Sequence, residues 1–137
     1  DSFVHAEFWG QVSNNALPSA EQFYIGGRFD ERGYTFAEAQ GDSGISATLS
    51  VGRDAFPDAG ALRSLRPFAF LDFGYVTSNQ TDRTGLQDNT FASIGVGVDI
   101  EFGQNVVVST HLAMPLTDGP LTDAHDPALH ISLRRSW

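Results

Sequence analysis

The sequence predicts an all-β chain: about six antiparallel strands of a membrane-spanning β-barrel, with one long loop folded back between the first and second. Three observations lead there. Apolar and polar residues alternate with period two through six segments, which is how a strand presents its two faces. Helical periodicity is almost missing; only residues 37–40 suit a single helical turn. A tight turn at Gly103-Gln104 alternates with longer polar loops at 78–89 and 117–126, an asymmetry that barrels of the bacterial outer membrane show.

The first strand is expected over 3–12, with Val4, Ala6, Phe8, Gly10 and Val12 on one face and His5, Glu7, Trp9 and Gln11 on the other. Residues 13–43 form an irregular stretch too long for an ordinary hairpin, and loops of that size carry function or are disordered. The second strand, 44–53, sets Ile45, Ala47, Leu49 and Val51 against Ser46, Thr48, Ser50 and Gly52. Pro57, Asp58 and Gly60 mark a turn. The third, 66–77, sets Ala69, Leu71, Phe73 and Tyr75 against Phe68, Phe70, Asp72 and Gly74. The fourth, 90–102, alternates most regularly, from Ala92 through Ile94, Val96, Val98 and Ile100 to Phe102. The fifth, 105–116, carries Val106, Val108, Leu112 and Met114 on one side, and the last, 128–137, carries Leu129, Ile131 and Leu133.

Composition narrows the function. With 17 acidic and 8 basic residues the net charge is −9, which argues against a nucleic-acid partner, since phosphate binding needs a basic patch. Cysteine is absent, so there is no disulfide framework and no thiolate chemistry. Lysine is absent too, while phenylalanine reaches 11 and glycine 14. No apolar run is long enough for a spanning helix. The mean hydropathy of −0.17 does not separate a soluble β-protein from a barrel, because barrel strands are apolar only at every second position. The chain opens at Asp1 within a strand-like pattern, which reads as a mature or truncated fragment.

Alternation alone leaves two architectures. In a soluble sandwich the apolar faces meet inside; in a barrel they face lipid and the polar faces line the lumen. Small residues on the polar faces (Ser46, Ser50, Gly74, Ser93, Gly95, Gly97) suit a crowded lumen. Strands of about ten residues match a tilted membrane crossing. Trp137, directly after a strand pattern, suits the terminal aromatic that outer-membrane assembly reads. Asp72 sits mid-strand between Phe70 and Phe73, where an unpaired carboxylate is costly. Arg32, set between Gly27 and Gly33, is placed to reach a folded-back loop tip and clamp a carboxylate with its fork.

The segments Leu17-Pro18-Ser19-Ala20-Glu21-Gln22-Phe23-Tyr24-Ile25-Gly26-Gly27, Arg32-Gly33-Tyr34 and Gly41-Asp42-Ser43-Gly44, with Pro67-Phe68-Ala69-Phe70-Leu71-Asp72-Phe73-Gly74 after them, resemble the outer-membrane transporters of two-partner secretion. These are the hemolysin secretion/activation proteins of the ShlB/FhaC/HecB type, in the superfamily of the assembly factor BamA. The resemblance runs from about Val12 to Trp137. It implies a barrel of about sixteen strands, within the range such barrels span, of which residues 1–137 would be the C-terminal part of a single domain. Earlier strands and the periplasmic POTRA domains would lie upstream. It implies a bacterial outer-membrane location, lipid around the barrel, a secreted exoprotein as partner, no cofactor and no enzymatic activity. It places Gly26, Gly27, Gly33, Tyr34, Gly41, Asp42 and Gly44 in the loop motif, Phe70 and Gly74 in the strand motif, and pairs Arg32 with Asp72. The chain departs from the family pattern at Glu31, where valine is common, and Arg28 and Asp30 add further charge at the loop tip. Two alternatives stay open: a barrel of the assembly branch, which inserts other proteins, and a soluble β-sandwich binding module.

Other candidates have plainer readings. Asp99 and Glu101 share a face, but nothing nucleophilic accompanies them, and lumen-lining charge is the simpler role. His5, His111, His125 and His130 lack metal-ligand spacing. Ser19 and Ser43 lack a nucleophile elbow. Gly95 and Gly97 lie within a strand, not at a strand-to-helix turn, which removes a dinucleotide reading. Trp9, Tyr24 and Tyr75 suit either interface aromatics or core.

Overall fold

Residues that alternate with period two can satisfy both faces only as strands, and the chain does so across a single sheet. The computed structural model describes residues 1–27, 31–55, 60–79, 88–103 and 105–136. Among them run β1 (Ser2–Gln11), β2 (Phe23–Ile25), β3 (Ala39–Gly41), β4 (Ser43–Arg53), β5 (Leu62–Thr77), β6 (Asn89–Phe102), β7 (Val106–Pro115) and β8 (Ala128–Arg135). Six of them form one sheet in the order β1-β4-β5-β6-β7-β8, every neighbour antiparallel. The sheet is open, with β1 and β8 at its edges. Among the described residues it departs from a simple meander in the loop 12–42 between β1 and β4, which carries a short 3-10 turn (Ser19–Glu21) and the hairpin of β2 and β3.

Register fixes the two faces. Glu7 pairs with Thr48, Thr48 with Asp72, Asp72 with Ser93 and Ser93 with Pro115, all pointing one way. The opposite face is a mostly apolar wall, interrupted by Thr90 and Thr110, in which Val4, Leu49, Leu71, Ile94, Val96, Leu112 and Ile131 are all exposed. In a sandwich this wall would be covered by a second sheet. The only other sheet among the described residues, β2 with β3, lies on the inner face instead: Phe23 packs where Gly44 leaves space, and Gly41 comes up against Val76 and Thr77. The buried core is accordingly small. Ile25, Tyr34 and Ala39 of the loop pack on Val76 and Phe91 of the sheet, with Phe23 at the margin.

Two local expectations are corrected. Residues 37–40 make no helical turn; Ala37 has φ 52°, and Ala39–Gly41 pairs with Phe23–Ile25. The third sheet strand begins at Leu62, not at 66. Pro67 does not end it, because the ladder to β4 stops at Gly52–Phe68 and resumes only as the isolated bridge Ala55–Leu65. The N–H that proline lacks would fall in that gap, a position strands tolerate. Arg28, Asp30, Pro57, Asp58, Gln104 and Trp137 lie outside the described residues.

Candidate functional site

The loop 12–42 folds onto the inner face, and three carboxylates hold it there. At its tip the chain turns sharply: Glu31 has φ 39°, Gly33 has φ 104°, and the Tyr34 amide donates to the Glu31 carbonyl at 3.2 Å. This turn aims Arg32 at β5. Its Nε donates to Asp72 Oδ2 and its Nη2 to Oδ1, both at 2.8 Å, and its backbone N–H adds a third bond to Oδ2 at 3.0 Å. The Thr48 hydroxyl, from the neighbouring strand, donates to Oδ1 at 3.0 Å. Asp72 is fully buried and Arg32 is 8% exposed. Two-point guanidinium–carboxylate contacts of this kind fix orientation as well as charge.

The surroundings explain the small residues. The Arg32 guanidinium carbon lies 3.5 Å from the centroid of the Phe70 ring, a cation–π placement that also covers the pair's apolar side. A side chain at Gly74 would meet the buried Glu31 carboxylate, since a Cβ there would stand 2.6 Å from Oε1. Gly33 needs its positive φ, and a Cβ on it would press within 3.3 Å of the Ala113 methyl and 3.2 Å of Pro115. Gly26 and Gly27 also have positive φ, and Gly26 backs directly onto the Thr35 carbonyl. Tyr34 is buried edge-on to Phe91, ring centroids 5.1 Å apart. Its hydroxyl reaches the carbonyls of Ala92 and Thr117, each at 2.8 Å.

At the stem, Asp42 sits between β3 and β4. It accepts the Leu17 amide at 2.7 Å and the Asn79 amide at 2.6 Å, with Gln22 and Ser78 completing its shell. The Leu17 amide, and then that of Asn79, hold its carboxyl below the usual carboxylate range. The third carboxylate, Glu38, has no signature in the sequence: its partners are Thr35 nearby and Leu121 and Thr122, more than eighty residues on. Only the bracketing of the loop by glycines marks the neighbourhood.

On the short-turn side of Arg32 the inner face opens into a cavity of about 390 Å³, lined by His5, Glu7, Ser50, Asp99, His111 and Arg134 among others. Asp99 and Glu101 do share that face, with Asp99 half-buried and Glu101 exposed. His111 and His130 stack across β7 and β8 with ring centroids 4.9 Å apart. Among the described residues no three metal-ligating side chains come together. The arrangement is suited to holding a loop in place against a wall.

No curated protein and no solved structure matches the chain significantly. The family model for the haemolysin secretion/activation protein ShlB/FhaC/HecB matches residues 4–100, from β1 through the long loop to β6. Those residues include both the turn that carries Arg32 and the strand that carries Asp72. The chain belongs to the ShlB/FhaC/HecB family of haemolysin secretion/activation proteins, and its general role is that of a secretion transporter.

Proposed function

We propose that residues 1–137 are the C-terminal part of an outer-membrane barrel that translocates an exoprotein partner in two-partner secretion, with loop 12–42 as a gate in its polar lumen. The observation that carries this reading is Asp72. A fully buried carboxylate faces away from the apolar wall, and its strongest partners come from the tip of a loop. An inward-facing acid bound to a removable loop is a tether, and a tether that can let go is a gate. The apolar wall supports hydrocarbon on the other face. Open edges are not tolerated in lipid, so β1 and β8 would pair with further strands of the barrel, and POTRA domains would capture the partner in the periplasm. Export by this route draws on no bond made or broken by the chain.

The test is export by the full-length protein. Arg32→Ala or Asp72→Ala should cut export of the partner while the barrel still assembles, as judged by heat-modifiable mobility. Wild-type export in both variants would remove the clamp from the account.

A further inference from the structure

The loop is also held by a carboxylate of its own, on the side away from the Arg32–Asp72 pair. Glu38 stands at the stem and is only 4% exposed. Its Oε1 accepts the backbone N–H groups of Leu121 at 2.6 Å and Thr122 at 2.8 Å. Its Oε2 accepts the Thr122 hydroxyl at 2.8 Å and the Thr35 N–H at 3.0 Å. The hydroxyls of Thr35 and Thr122 also meet, at 3.2 Å. Two successive backbone N–H groups aimed at one oxygen make a small anion nest, here filled by a side chain from another part of the fold. Gly119 leaves room for it, since a Cβ there would run into Glu38 Oε1.

The segment so held is the connection between β7 and β8. Beyond Thr117, and among the described residues, its hydrogen bonds stay within itself, return to the end of β7 at Pro115, or go to Thr35 and Glu38. Its start is tied at Leu116 and Thr117 to Ala92, Thr90 and Tyr34; past that point its hydrogen bonds to other parts of the fold, among the described residues, go to Thr35 and Glu38. The loop in turn cannot withdraw without stripping Glu38 of the three donors that Leu121 and Thr122 supply, and a buried carboxylate left short of donors is costly.

We infer that Glu38 is a positioning residue that latches the β7–β8 connection to the stem of the re-entrant loop, making that connection an outer lid which releases before the loop can leave the lumen. The inference rests on the reading of loop 12–42 as a gate. It adds a second point of control, at the end of the sheet with the long connections, which the Arg32–Asp72 pair does not touch.

The test uses the full-length protein in planar bilayers and in export assays. Glu38→Ala should assemble normally and raise the open fraction of the channel by roughly ten- to hundredfold, the factor expected for hydrogen bonds to a charged group. Glu38→Gln, which keeps one acceptor oxygen, should fall between. These 137 residues hold no cysteine, so in a full-length background freed of any cysteine elsewhere the pair Thr35→Cys and Thr122→Cys can be joined selectively. Oxidation should stop export and close the channel, also when combined with Glu38→Ala, and reduction should restore both. A Glu38→Ala channel as closed as the parent, full export through the oxidised pair, or failure of the two thiols to join would overturn the latch. Arg32→Ala serves as the reference. If it opens the channel and Glu38→Ala does not, the latch is wrong and the gate stands; if neither does, both fall.

Discussion

Removing either partner of the Arg32–Asp72 pair should not have equal effects, and the difference can be worked from burial. Asp72 is fully enclosed, whereas Arg32 is 8% exposed and borders the cavity on its short-turn side. Arg32→Ala deletes two 2.8 Å charge-assisted bonds and leaves a buried carboxylate with only the Arg32 backbone amide, the Thr48 hydroxyl and a long contact to Ser93. Breaking a buried pair in this way costs about 3–5 kcal/mol. That is roughly two to three and a half powers of ten in the population of the docked loop. Asp72→Ala leaves a guanidinium that still rests on Phe70 and can turn to the cavity, so its cost should lie at or below the lower bound. The double variant buries no unpaired charge and should be more stable than Arg32→Ala alone. The assay is a double-mutant cycle in the full-length protein, reading denaturant midpoint in detergent and open-channel fraction in bilayers. Single effects that add within about 0.5 kcal/mol in the double variant would mean the two side chains are uncoupled, and would refute the reasoning.

Further outcomes follow from the same geometry. Gly74→Ala should displace the loop tip by collision with the Glu31 carboxylate, raising channel opening; Glu31→Ala in the same chain should relieve it, and persistence of the defect would place the clash elsewhere. Acid should loosen the stem. The Asp42 carboxyl is lowered in the folded state, so its contribution is complete above the unfolded value, about 3.9, and is lost as pH falls through the lower folded value. The protection of the Leu17 and Asn79 amides from hydrogen exchange, relative to free amides at the same pH, should therefore fall at that acid limit, and Asp42→Asn should remove this change in protection. Leu71→Arg, in the middle of the exposed apolar wall, should cost about 2–4 kcal/mol of barrel stability, while Leu71→Ala should be well tolerated; equal effects in the two would remove lipid from that face.

Much of the sheet was legible because alternation is a local signal. The stretch from Ala92 to Phe102 has the same face pattern in sequence and in structure. Strand ends were less legible where the local signal fades. The third sheet strand is expected from Arg66, yet β5 already begins at Leu62, where Arg63 and Ser64 show no apolar alternation to mark it. The hairpin of β2 and β3 was not readable at all: three residues are too few to show a period, and Ala39–Gly41 becomes a strand only by pairing with Phe23–Ile25. The site divides in the same way. Arg32 and Asp72 stand out because glycines bracket one and phenylalanines the other, so local sequence marks both as unusual. Glu38 does not stand out, since its partners are mostly backbone N–H groups, which any residue supplies. Thr48 and Ser93 are ordinary strand residues until the register sets them beside Asp72.

The central claim is that one face of this sheet meets hydrocarbon while the other meets a loop in a wet interior. The most direct measurement is a nitroxide scan along β5, one position at a time from 68 to 75, in the full-length protein reconstituted in lipid. Strong collision with oxygen is expected at 69, 71, 73 and 75 and shielding from it at 68, 70, 72 and 74. A scan with no alternation, or with the shielded and lipid-accessible positions exchanged, would contradict the claim.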